Sequence, residues 1–133
     1  MNKENHDYFF YIVWEDTEKN AYRIGVLAQI DGQFYLKMNN NNTSTIAANK
    51  GCIGIPGFQV DKIYKSSQLF DFFKYRILNK KSNNPCEELL KNSAKSMVDS
   101  FYLEEVPNLL KPKCRQIILD MDNLQNRDDQ SRS

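Results

Sequence analysis

The sequence predicts an α+β fold: a small antiparallel sheet of three or four strands packed by two to four helices. Three features predict it. Between Tyr8 and Met38, three runs rich in aromatic and β-branched residues are separated by turn-forming residues, which is strand and hairpin chemistry. Beyond residue 40, apolar residues recur at helical spacing behind Ser, Thr or Pro start signals. At 133 residues and 41% hydrophobic, one domain spanning the whole chain buries a core without staples.

Tyr8 to Trp14 is the first strand, with Phe10, Ile12 and Trp14 on one face and Phe9, Tyr11 and Val13 on the other. Glu15 to Asn20 (EDTEKN) reads as an exposed charged turn. Ala21 to Ile30 is the second strand, where Tyr22, Ile24, Val26 and Ala28 alternate against Arg23, Gly25 and Leu27. Asp31-Gly32 is a turn dipeptide, and Gln33 to Met38 completes a three-stranded meander. The asparagine tract 39–42 ends the sheet. Thr43 to Lys50 holds a helical turn, capped by Thr43 or Ser44 and closed by Gly51.

Gly51 to Phe58 is a Gly/Pro-punctuated loop whose Ile53, Ile55 and Phe58 need burial against this domain or a partner. Ser66 or Ser67 caps the next helix, with Leu69, Phe70, Phe73 and Ile77 on one stripe. A polar loop, 79–84, leads to a helix opened by Pro85, with Glu87 and Glu88 in its first turn and Leu89 and Leu90 buried. Ser100 to Val106 reads as a short strand or extended segment. Lys113 to Gln125 is the last helix, its apolar stripe formed by Cys114, Ile117, Ile118, Met121 and Leu124. That stripe packs on its own sheet or on a partner. Residues 1–6 and 126–133 read as flexible tails.

Composition narrows the function. Lys plus Arg number 18 and Asp plus Glu 17, a net charge of +1 that argues against a general nucleic-acid binder. The pairs Tyr22–Arg23, Tyr64–Lys65 and Tyr75–Arg76 keep a base-stacking reading open, though core rings flanked by cations account for them better. Cys52, Cys86 and Cys114 are dispersed and His6 is the single histidine, so neither a zinc site nor a His-activated nucleophile is expected. Reduced, mostly buried thiols in a cytoplasmic protein fit this usage better. The start MNKENHD is polar, and no apolar run approaches the ~20 residues of a membrane helix.

No phosphate-loop motif accompanies Gly51, Gly54 and Gly57, which more simply let the backbone turn beside Ile55 and Phe58. Glu15, Asp16 and Glu18 read as solvated turn carboxylates, and Glu104 and Glu105 point to opposite faces of an extended segment. The expectation is a non-enzymatic contact protein without catalytic residues, cofactor or metal. Its partner-binding residues are Ile55, Pro56, Phe58, Tyr64 and Lys65, an apolar anchor on the loop with a polar rim.

The segments YRIGVLAQIDGQFYLKM, IPGFQVDKIYKSSQLFDFF and PCEELLKNSAKSMVDSFYLEEV, over residues 8 to 106, resemble small bacterial proteins similar to the amino-terminal subdomain of HipA-type kinase toxins, HipS-like and HIRAN-associated. The resemblance implies a small β-rich module that, in split systems, is a separate protein that binds and restrains the kinase. This sequence holds no kinase core, and one helix and a tail stand where a HIRAN barrel is expected, so no catalytic residue carries over. The function so implied is a bacterial toxin–antitoxin interaction module restraining a HipA-like kinase. The alternatives are a phage-borne anti-defence inhibitor of a bacterial defence enzyme and a nucleic-acid-associated accessory protein.

Overall fold

The computed structural model describes residues 7–74, 84–91 and 100–131. Strands β1 (Tyr8–Glu15), β2 (Ala21–Ile30) and β3 (Gln33–Met38) form the expected meander. Two further strands, β4 (Ile63–Ser66) and β5 (Phe101–Glu105), extend it to a five-stranded antiparallel sheet in the order β4-β3-β2-β1-β5. The helices are α1 (Asn42–Asn49), a single turn α2 (Asp71–Lys74), α3 (Pro85–Lys91) and α4 (Lys111–Ser131), the last preceded by a 3-10 turn over Asn108–Leu110. The architecture is α+β, with one strand more than the upper expectation.

The sheet separates two apolar clusters. One face carries Phe10, Ile12, Leu27 and Leu36 beneath Ala47, Ile55, Leu69, Phe73 and Leu89. The other carries Phe9, Ala28, Ile30 and Tyr35 against Val106 and Ile118. The alternation read for β1 is therefore the alternation found.

In β2 the alternation breaks. The register shifts between Ile12 and Val13, which pair with Gly25 and Arg23, so Ile24 is an extra, bulged residue. Tyr22, Ile24 and Leu27 consequently belong to one cluster and Val26, Ala28 and Ile30 to the other. Strict alternation would put Val26 and Ala28 with Ile24. A glycine sits beside the bulge because a Cβ on Gly25 would lie 2.7 Å from the Lys37 carbonyl oxygen and 3.0 Å from the Met38 sulfur.

Several local expectations need correction. Helix α1 is capped by Asn41, whose side chain accepts from the Ser44 amide while Ser44 Oγ accepts from the Asn41 amide. Thr43 and Ser44 are thus inside the helix rather than at its cap. Ser66 ends β4, and its hydroxyl accepts from the Gln68 amide in a local turn, so the helix behind it starts later, at Asp71. Ile77 and the Tyr75–Arg76 pair lie outside the described residues. Helix α4 runs on through Ser131, into the stretch read as a polar tail.

In the turn after β1, Glu18 is solvated as expected but Glu15 and Asp16 are not. Asp16 is buried and accepts hydrogen bonds from the Glu18 and Asn20 amides, both at 2.9 Å, from Asn20 Nδ2 at 3.2 Å and from the Tyr22 hydroxyl at 3.1 Å. Glu15 is buried beside it and pairs with Lys19. The turn is built around one carboxylate.

Candidate functional site

The loop between α1 and β4 is pinned at both ends. The Cys52 amide donates to the Ala47 carbonyl at 3.0 Å, and the Asp61 amide donates to Met38 at 3.0 Å beside a parallel bridge between Val60 and Met38. Between them, Ile55-Pro56-Gly57-Phe58 forms a β-turn closed by the Phe58 amide on the Ile55 carbonyl at 3.1 Å. Proline at its second position and φ +90° at Gly57 are the type II pattern.

This geometry sorts the loop's apolar side chains. Ile55 is 3% exposed and belongs to the core, so it is not the exposed partner anchor expected from the sequence. Phe58 is half-buried, edge-on to Tyr64 at 4.8 Å and to Phe70 at 5.5 Å between ring centroids. The Tyr64 hydroxyl accepts from the Gln59 amide at 3.0 Å, which ties the loop to β4. Pro56 is exposed at the tip of the turn.

Lys65 does not join them. Neighbours on a strand point to opposite faces, and its ammonium lies over Tyr35 and 3.6 Å from the Asp122 carboxylate, on the α4 side of the sheet. The cation beside Tyr64 is Lys62, 5.5 Å from the ring centre. Of the five residues expected to bind a partner, the structure brings Phe58 and Tyr64 into contact, buries Ile55 and turns Lys65 away.

What the loop presents instead is Ile53, 91% exposed, with Val60, 51% exposed. They border a groove of about 220 Å³ whose walls include Ile24, Met38, Phe58 and Ala48. Ile53 and Ile55 would share a face in an extended strand, but Gly54 between them takes φ +76°, which turns one out and the other in. Nothing in the residue pattern alone distinguishes these two isoleucines.

The groove holds no reactive constellation. Cys52 on its wall has its thiol pushed up by burial, partly countered by a hydrogen bond with the Gly54 backbone, which disfavours the nucleophilic thiolate. Cys86 is buried and its thiol is pushed up to about 12, by burial first and the Glu87 charge second. Cys114 is half-buried and likewise raised by burial, and all three cysteines are free. Among the described residues, no group of three or more His, Cys, Asp or Glu side chains gathers as metal donors.

Of the Tyr–basic pairs, the two among the described residues, Tyr22–Arg23 and Tyr64–Lys65, are engaged within the domain. Arg23 makes a two-pronged ion pair to Glu104, at 2.8 and 3.2 Å, and lies 4.5 Å from the centre of the Tyr11 ring. The Tyr22 hydroxyl donates to Asp16. A base stacking on the Tyr11 ring would have to displace Arg23.

Comparison with family models, with curated proteins and with solved structures gave no match to this chain. Among the described residues, no helix is long and apolar enough to cross a membrane.

Proposed function

We propose that the chain is a non-catalytic interaction module that binds a protein partner and restrains it, and that the partner is a HipA-like toxin kinase. The observation that carries the contact reading is Ile53. A 91%-exposed isoleucine beside an apolar groove leaves in water a side chain whose burial is worth about 2 kcal/mol. A rigidly held loop pays little ordering entropy on binding, so that gain is available to a complex.

The mechanism is occlusion. Ile53 and Val60 enter an apolar pocket of the partner while a partner side chain fills the groove behind them, and Phe58 and Tyr64 hold the loop in the shape that does this. The kinase is suggested by the resemblance of the hairpin, the loop and the segment after Pro85 to the HipA amino-terminal subdomain. The apolar character of the groove favours a protein partner over a nucleic acid, whose phosphates call for clustered cations.

The test is reconstitution with a purified HipA-type kinase. Co-elution with the kinase and a lowered rate of its phosphoryl transfer are expected from the native chain, and neither from Ile53→Asp. A kinase that neither binds nor slows removes the partner assignment. Binding that ignores Ile53 removes the loop.

A further inference from the structure

The opposite face of the sheet carries a second exposed apolar feature. Helix α4 packs on its own sheet through Ile118, with Cys114, Leu119 and Met121 alongside. Gln125 reinforces the seat, pairing its side-chain amide with both the amide and the carbonyl of Ile63, at 3.0 and 2.8 Å, along edge strand β4. Ile117 and Leu124, part of the apolar stripe read from the sequence, are 44% and 59% exposed, and Leu110 is 45% exposed.

Ile117 and Leu124 lie seven apart on α4, which keeps them in one row along the helix, and Leu110, seven before Ile117, ends the 3-10 turn that leads into it. Leu110 and Ile117 border a groove of about 300 Å³ whose sheet side includes Tyr11 and Val26. Alongside it the charges are segregated. Lys111, Lys113 and Arg115 occupy the first turns, and Asp120 and Asp122 come later. Lys111, Arg115 and Asp122 already pair within the domain, with Glu105, Asp7 and Lys65. Lys113 and Asp120 are exposed, seven apart, on the same flank of the row, with Asp120 accepting a hydrogen bond from the Gln116 side chain one turn before it at 2.9 Å.

We infer that two copies of this chain associate through α4, antiparallel, with Ile117 meeting Ile117 at a two-fold axis. That register sets Leu110 against Leu124 of the partner and brings Lys113 within one residue of the position facing Asp120 of the partner. The two-fold then makes each ion pair twice. A parallel arrangement, whose two-fold runs along the helices, would carry this flank to opposite sides of the seam and leave the two charges unpaired across it. Antiparallel helix dipoles favour the same choice. The occupant selected by the charge pattern is a second copy, because the helix is complementary to its own reverse. This seam lies across the sheet from the 51–60 loop, so it is independent of the proposed partner surface.

Sedimentation equilibrium of the full chain, at loadings spanning about three decades around the micromolar range that separates weak from stable pairs, reads this directly. The expected result is a reversible dimer of 15.6 kDa chains. Ile117→Glu should shift it to monomer, and Ile53→Asp should leave the mass unchanged. Lys113→Glu and Asp120→Lys should each weaken the dimer roughly tenfold or more, and the double swap should restore it. The swaps are at exposed positions and decide the question if Ile117→Glu fails to fold. A native chain that stays monomeric throughout overturns the inference. So does a dimer indifferent to the charge swaps.

Discussion

Phe58 stands edge-on to Tyr64, ring centroids 4.8 Å apart and planes at 86°, and the same Tyr64 holds the loop by accepting the Gln59 amide through its hydroxyl. The two rings convert a Gly/Pro loop, which would otherwise cost entropy to order, into a fixed surface. Phe58→Ala should lower unfolding free energy by about 2 kcal/mol, less than a fully buried Phe because the ring is half exposed. Phe58→Leu should recover much of it. Urea unfolding followed by tryptophan fluorescence measures both, and an unchanged midpoint for Phe58→Ala would mean the rings do not brace the loop.

Much of this arrangement is legible in the sequence, and the exceptions have physical causes. The meander from Tyr8 to Met38 declares itself because alternating apolar residues and turn dipeptides agree over three strands. β4 escapes because four residues, Ile63 to Ser66, are too few to show a period, and their partners Phe34 to Lys37 are distant in sequence. The extent of α4 escapes because helix propagation past the last packed turn is cheap, so Asn126 to Ser131 stay helical without apolar residues. In the candidate site, Phe58 and Tyr64 were legible as apolar loop and rim. The exchange of Ile55 for Ile53 was not, since it hangs on the positive φ of Gly54.

The bulge in β2 yields a sharp contrast between two glycines. Gly25→Ala drives a Cβ to 2.7 Å from a backbone oxygen of the neighbouring strand, which no side-chain rearrangement relieves. It should cost about 3 kcal/mol or prevent folding. Gly57→Ala meets nothing within 4 Å and suffers the left-handed backbone alone, about 1 kcal/mol. Thermal melts of the two variants should differ clearly, and equal melts would place the bulge elsewhere.

Asp16 gives the fold a pH dependence. Burial pushes its carboxyl up, but hydrogen bonds from Asn20, Tyr22 and Glu18 outweigh that and hold it below its ordinary value of 3.8. A depressed carboxyl stabilises the fold fully above its ordinary value, and the contribution is lost as pH falls through the folded-state value. Asp16→Asn should therefore be less stable than the native chain at neutral pH, and the gap should close between about pH 5 and pH 2. Denaturation curves across that range test it. A gap that stays constant would show that the charge of Asp16 plays no part.

The cysteines should label in a fixed order. Cys86 is fully buried with its thiol pushed up to about 12, whereas Cys52 and Cys114 are half-buried. Iodoacetamide at pH 8, where an ordinary thiol is roughly one-quarter ionised, should reach Cys52 and Cys114 first and Cys86 only on the unfolding timescale. Peptide mass spectrometry over time would show it, and early labelling of Cys86 would contradict the packing of α3 on the sheet.

The most direct measurement is the affinity of a HipA-type kinase for the native chain and for Ile53→Asp, by titration calorimetry, with circular dichroism confirming that both are folded. The account predicts saturable binding by the native chain and at least about a hundredfold loss for the variant, the size expected of a central apolar anchor. Equal affinity for the two chains, or no binding by either, would contradict it.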